Sequence, residues 1–157
     1  MGVDTNYTVG AYLEIEADDI IEQIPAMGCP DHDKELFIID NLNQSEIVFC
    51  KRCGKKYEPK TITETHKPIL WRLLEDREDL EDSLHDTHMY QHEEKRTIIA
   101  YDGSEIVLEY GGVVEIMPQM ATEHIEVFKK KNRDAIDFLK TKARSVEVKF
   151  GALMYYT

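Results

Sequence analysis

Cys29-Pro30-Asp31-His32, then 17 residues, then Cys50-Lys51-Arg52-Cys53-Gly54: the rest of the chain is best read outward from this stretch. The spacing C-x2-H…C-x2-C is that of four ligands around a tetrahedral structural zinc. All three cysteines of the chain fall within it. Between the pairs lie two apolar runs, Leu36-Phe37-Ile38-Ile39 and Ile47-Val48-Phe49, separated by the polar Asn41-Leu42-Asn43-Gln44-Ser45. Two short strands around a polar loop predict a hairpin. A hairpin returns its ends to one place, so the two ligand pairs should meet at its base. Pro30 pre-sets φ in the first knuckle, and Gly54 follows the second with a residue tolerant of positive φ. Four protein ligands leave no position for water, so a zinc held here is structural and not catalytic.

On these residues, the segment 27–58 resembles a zinc ribbon. The resemblance implies zinc bound by Cys29, His32, Cys50 and Cys53. The chain departs from the pattern at His32, where many ribbons carry a fourth cysteine.

Outward from the ribbon, periodicity predicts an α+β domain spanning 1–157 with the ribbon inserted at 27–58. Residues 7–17 alternate: Tyr7, Val9, Ala11, Leu13, Ile15 and Ala17 share one face, as in a half-buried antiparallel strand. Ile20 to Ile24 reads as a helical turn or loop, and Glu58 to Lys67 as a polar connector. Pro68 opens a helix whose apolar side carries Leu70, Leu73, Leu74, Leu80 and Leu84. Residues 96–117 read as β, with Asp102-Gly103 as a hairpin turn and Val113–Ile116 as a further strand. Pro118 opens a second amphipathic helix of roughly six to seven turns, with Ala121, Ile125, Phe128, Ala135, Ile136, Leu139 and Ala143 on one side. The last strand, Val146 to Tyr156, matches the first in length, so the two should share a sheet. The expected architecture is an antiparallel sheet of about four or five strands with two helices over one face.

The chain of 157 residues carries a net charge of −12, which should repel nucleic acid and acidic membranes as a whole. Apolar residues make up 42%, enough for a core, and no run approaches transmembrane length. Charge is unevenly spread. Residues 1–50 hold eleven acids against Lys34 alone. Glu75, Asp76, Glu78, Asp79, Glu81 and Asp82 place six acids in eight positions, a surface suited to a basic protein partner. Two basic islands oppose them. Lys51, Arg52, Lys55, Lys56 and Lys60 make the ribbon a candidate nucleic-acid contact, with Tyr57 as its stacking residue. Lys129 to Arg144 holds seven bases against Asp134 and Asp137.

Catalytic patterns are sparse. There is no nucleophile elbow, Walker loop or dinucleotide fingerprint, and the thiols are committed to metal. His85, His88 and His92 would share a helical face if the first helix continued through them, the basis for a metal-dependent hydrolase reading. His85-Asp86-Thr87 resembles one H-x-T element of the two-histidine phosphoesterases, a fold that needs two. The expectation is therefore a non-enzymatic interaction protein. Cysteines in metal spacing place it in a reducing compartment, the cytoplasm. The opening Met1-Gly2-Val3-Asp4-Thr5-Asn6-Tyr7, the acidic body and the ribbon resemble small proteins of tailed bacteriophages. That resemblance implies action in the cytoplasm of an infected bacterium, by binding or inhibiting a host factor.

Overall fold

The computed structural model describes residues 5–38, 49–86, 97–108 and 111–156. The fold is α+β, and the chain divides into two compact units. One comprises Met1–Asp19 with Lys67–Thr157; the other is Ile20–His66.

The larger unit is built on β1 (Thr5–Glu16), whose period-two pattern buries Val9, Ala11, Leu13 and Ile15 at 2% exposure or less. Along one side β1 pairs antiparallel with β8 (Ser145–Tyr156) over its whole length, from Thr5↔Tyr156 to Glu16↔Ser145. Along its other side run β6 (Thr97–Tyr101) and β7 (Ile106–Leu108), end to end. The two-residue β5 (His85–Asp86) pairs outside β6.

Because β6 and β7 both run antiparallel to β1, Asp102-Gly103 is not a hairpin turn. The register sum with β1 rises from 113 in β6 (Leu13↔Ala100) to 115 in β7 (Val9↔Ile106), so this is a bulge that adds two residues to one continuous edge. Gly103 adopts φ +77° there, the positive φ that favours Asp-Gly in hairpins as well. Local turn chemistry thus matched while the strand pairing differed. Val113 to Ile116 forms no strand, and Val113 is 92% exposed.

Each expected helix is divided. The first becomes α1 (Leu70–Leu73) and α2 (Glu78–Glu81). Between them Arg77 leaves helical φ/ψ and grips Asp79 with two bonds of 2.7 Å. Residues two apart do not face each other on a helix, so this grip and a continuous helix exclude one another. The second becomes α3 (Pro118–Lys131) and α4 (Arg133–Lys142), divided at Asn132. The Asn132 side chain donates to the Phe128 carbonyl at 3.1 Å and to Asp102 at 2.8 Å. Short amides that bond nearby backbone in this way compete with helix continuation.

One apolar cluster joins these elements: Ala11, Leu13 and Ile15 of β1, Ile98 and Ala100 of β6, Leu70, Leu74 and Leu80 around α1 and α2, Phe128 of α3 and Leu139 of α4. Burying each large aliphatic or aromatic side chain of this set contributes about 1.5–3 kcal/mol.

The smaller unit is a three-stranded sheet in the order β3–β2–β4, with β2 at Ile20–Cys29, β3 at His32–Ile38 and β4 at Glu58–His66. The segments expected as a turn and a polar connector are thus strands. β2 and β4 pair from Ile20↔His66 to Gly28↔Glu58. Thr61-Ile62-Thr63 supplies a β-branched run, and pairing across Ile24↔Ile62 outweighs the polarity of its flanks. Glu22 stands opposite Glu64, a like-charge pair, and the His66 imidazole lies 3.3 Å from both carboxylates.

Candidate metal centre

Two knuckles build the site. In the first, β2 turns into β3 through Pro30 and Asp31, placing Cys29 opposite His32 in the register. A bulge between Met27 and Cys29 shifts the strand just before the ligand. In the second, Phe49 and Lys56 bridge, and the chain between them turns tightly. Cys50 N–H donates to Lys55 O, and Gly54 N–H to Cys50 O, both at 2.8 Å. Gly54 sits at φ +71°, the left-handed conformation expected of it. The pairing expected between the two apolar runs falls on residues outside those described. β3 pairs with β2, while residues 39–48, with the loop and Ile47-Val48, lie outside the described residues.

The ligand atoms of Cys29, His32, Cys50 and Cys53 all lie within 4.8 Å of one another. His32 presents Nδ1 to the sulfurs, 3.5 Å from Cys29 Sγ and 3.6 Å from Cys50 Sγ. Cys29 and Cys53 Sγ are 3.4 Å apart. Tetrahedral bonds of about 2.3 Å to sulfur and 2.0–2.1 Å to nitrogen place S and N about 3.6 Å apart and two sulfurs about 3.8 Å apart. The two sulfur–nitrogen distances match this spacing, and the sulfur pair lies inside it by about 0.4 Å yet far beyond the roughly 2.05 Å of a disulfide. The group can hold a metal ion and is consistent with a zinc-binding motif.

Burial and charge support the assignment. Cys29 and Cys50 are buried and pack with Tyr57 and Met27 in a small apolar cluster of their own. The Cys53 backbone amide, joined by that of Arg52, brings the Cys50 thiol down to about 7, so its thiolate forms readily. At Cys53 the Lys55 amide pulls the thiol down, but burial and the neighbouring sulfurs of Cys29 and Cys50 prevail and raise it. Sulfurs crowded in this way repel as thiolates unless a cation sits among them.

Compared with family models, curated proteins and solved structures, the chain matches none.

Sequence reasoning missed the role of Tyr57. It is 2% exposed under the knuckles and is no stacking residue. Among the described residues of this unit, Phe49 is instead the exposed aromatic, at 54% and bridged to Lys56. Of the five ribbon bases, Lys55 is held by Asp31 at 2.5 Å and titrates above its ordinary value for that reason. Lys51, Arg52 and Lys56 are exposed, and Lys60 is half-buried.

The acids around α2 divide similarly. Arg77 holds Asp79, and Lys142 reaches Asp76 at 2.5 Å. Glu75, Glu78 and Asp82 are exposed without an ion-pair partner among the described residues. The Glu81 side chain lies outside what is described. His85 is exposed in β5, not on a helix, so the helical face expected for His85, His88 and His92 does not begin there. His88 and His92 lie outside the described residues. No helix among the described residues is long and apolar enough to cross a membrane.

Proposed function

We propose that the protein is a small zinc-stabilised interaction protein that acts by binding a protein partner and not by catalysis. The gathering of four ligand atoms within 4.8 Å carries the zinc assignment. Three sulfurs and an imidazole are the donor set zinc favours, and they fill a tetrahedron without an open position. Protein purified without added metal should contain a single zinc by elemental analysis. Metal-free protein whose three thiols all titrate freely in the native state would exclude the site.

The partner surface in this reading is the acidic one around α2. Among the described residues its members without an ion-pair partner are Glu75, Glu78 and Asp82, while Asp76 and Asp79 are occupied by Lys142 and Arg77. The variant Glu75→Lys, Glu78→Lys, Asp82→Lys should keep the fold and lose the partner. Capture of the same partner with unchanged salt dependence would reduce the surface to a solvated face. The resemblance of Met1 to Tyr7 to phage proteins supports a host factor as that partner, and the bacterial cytoplasm as the compartment.

A second reading, a nucleic-acid contact at the ribbon, is favoured by exposed Phe49 beside Lys51, Arg52 and Lys56. Screening limits each charge to about 8–10 Å, so this tip acts largely independently of the net charge. Binding on this reading is weak, indifferent to sequence and lost as salt rises. Titration of labelled single strands against Phe49→Ala decides it.

A further inference from the structure

The basic block at the end of the chain belongs to neither reading. α3 and α4 border β8 along a groove of ≈770 Å³. Ile136, Val146 and Val148 give it an apolar floor, and Lys129, Lys130, Arg133 and Lys140 rim it. Three acids share the lining: Asp137 is 3.8 Å from both Arg133 and Lys140, Glu126 is 3.7 Å from Lys129, and Glu147 is 3.3 Å from Lys149, so the four rim bases exceed the lining acids by one. Lys130 is exposed and has no ion-pair partner among the described residues, and Arg133 is 80% exposed at its side chain. In a chain of net charge −12, this lining keeps a positive balance, with Lys130 and Arg133 as its most available bases.

The strand bordering the groove is an edge. β8 pairs β1 along one side, and no strand among the described residues pairs its other side. An edge of twelve residues turns N–H and C=O groups outward at every second position. We propose that the free edge of β8 and the basic rim of α3 and α4 together dock an extended acidic segment of another protein, which adds to the sheet as a strand.

The chemistry selects among occupants. A peptide backbone answers the alternating donors and acceptors of the edge, whereas a phosphodiester chain offers acceptors only. A second copy would bring basic rim against basic rim and −12 against −12. An added strand sends alternate side chains to the helix-bearing face, where Val146 and Val148 already point inward against the core. Acids at every second position would therefore meet the rim, with the intervening residues facing away. This surface is distinct in residues from the acidic one around α2.

The test uses the full chain and a fluorescein-labelled Glu-Thr-Glu-Thr-Glu-Thr-Glu-Thr probe, read by polarisation. Three comparisons should each weaken binding by roughly tenfold or more, the loss of a few edge hydrogen bonds or charge contacts. The first is the isomeric probe with its four Glu in one block, which keeps net charge and breaks alternation. The second is the alternating probe N-methylated at every second residue, which removes its strand donors. The third is Lys129→Glu, Lys130→Glu, Arg133→Glu, with an unchanged circular dichroism spectrum; Lys130→Gln, Arg133→Gln serves if the triple variant misfolds. Absence of binding overturns the proposal, as does equal affinity for the blocked or methylated probe. Tighter capture of an oligonucleotide lost in the same variants, or self-association competing with the probe in sedimentation, assigns the groove to another occupant and also overturns it.

Discussion

Asp102 shows how one side chain ties distant parts of the larger unit together. Its carboxylate is fully buried and accepts hydrogen bonds from the Ser104 amide at 3.0 Å, the Ser104 hydroxyl and Asn132 Nδ2 at 2.8 Å, with Lys131 Nζ at 3.1 Å. It thereby fixes the bulge between β6 and β7 to the junction of α3 and α4. Burial pushes its pKa up, but the bonds from Ser104, Asn132 and Lys131 prevail and hold it below the ordinary carboxylate value. The folded state therefore binds fewer protons than the unfolded one, in which Asp titrates at about 3.9. This contribution is fully present above about pH 4 and is lost as pH falls through the lower folded value. Asp102→Ala should cost about 1–3 kcal/mol at neutral pH, because the Asn132 amide is left buried and short of a partner. In urea titrations, the gap between wild type and Asp102→Asn should narrow as pH drops from about 5 to about 2. The same bulge explains Gly10. A Cβ there would stand 2.9 Å from Glu105 Cα, a backbone atom that cannot swing aside. Gly10→Ala should lower the urea midpoint by the equivalent of about 1–3 kcal/mol.

Among the elements, β2, β3 and β4 carry the candidate metal site. Their buried apolar set beside the ligands is small: Cys29, Cys50 and Tyr57, with Met27 against them. With so few buried apolar groups beside the ligands among the described residues, a metal bound as proposed would contribute much of this unit's folding free energy. Chelation of zinc, or Cys53→Ser, should release amide protection in 20–66 first. The β1–β8 ladder should stay protected, because its cluster of Leu13, Ile15, Phe128 and Leu139 shares no residue with the ribbon. Hydrogen exchange read by mass spectrometry checks this segment by segment, and simultaneous exposure of both units would contradict it. In α1 and α2 the chain sacrifices helix continuity for the Arg77–Asp79 grip. Arg77→Ala should allow a longer helix, visible as a gain in far-ultraviolet helical signal.

Across the whole chain, the four residues of the candidate metal site were legible without coordinates, and so were the two long strands. Cys29, His32, Cys50 and Cys53 announce themselves because metal spacing is set by knuckle geometry within a few residues. β1 and β8 do so because a strand with one buried face alternates along its own length. What depends on distant partners was not legible. The division at Asn132 follows from its contact with Asp102, thirty residues away, whereas that at Arg77 follows from a local pair with Asp79 that helical periodicity does not encode. The Asp102-Gly103 bulge obeys the local chemistry of a hairpin, and only the pairing of β6 and β7 with one side of β1 decides against it. β2 and β4 read as a turn and a connector because their polar residues face solvent on a thin sheet, where pairing across the ladder replaces burial as the ordering force. Local geometry and periodicity are properties of neighbouring residues, so sequence alone determines them. Strand partners, the helix break at Asn132 and the groove beside β8 arise from residues far apart in the chain, and the tertiary structure alone brings those together.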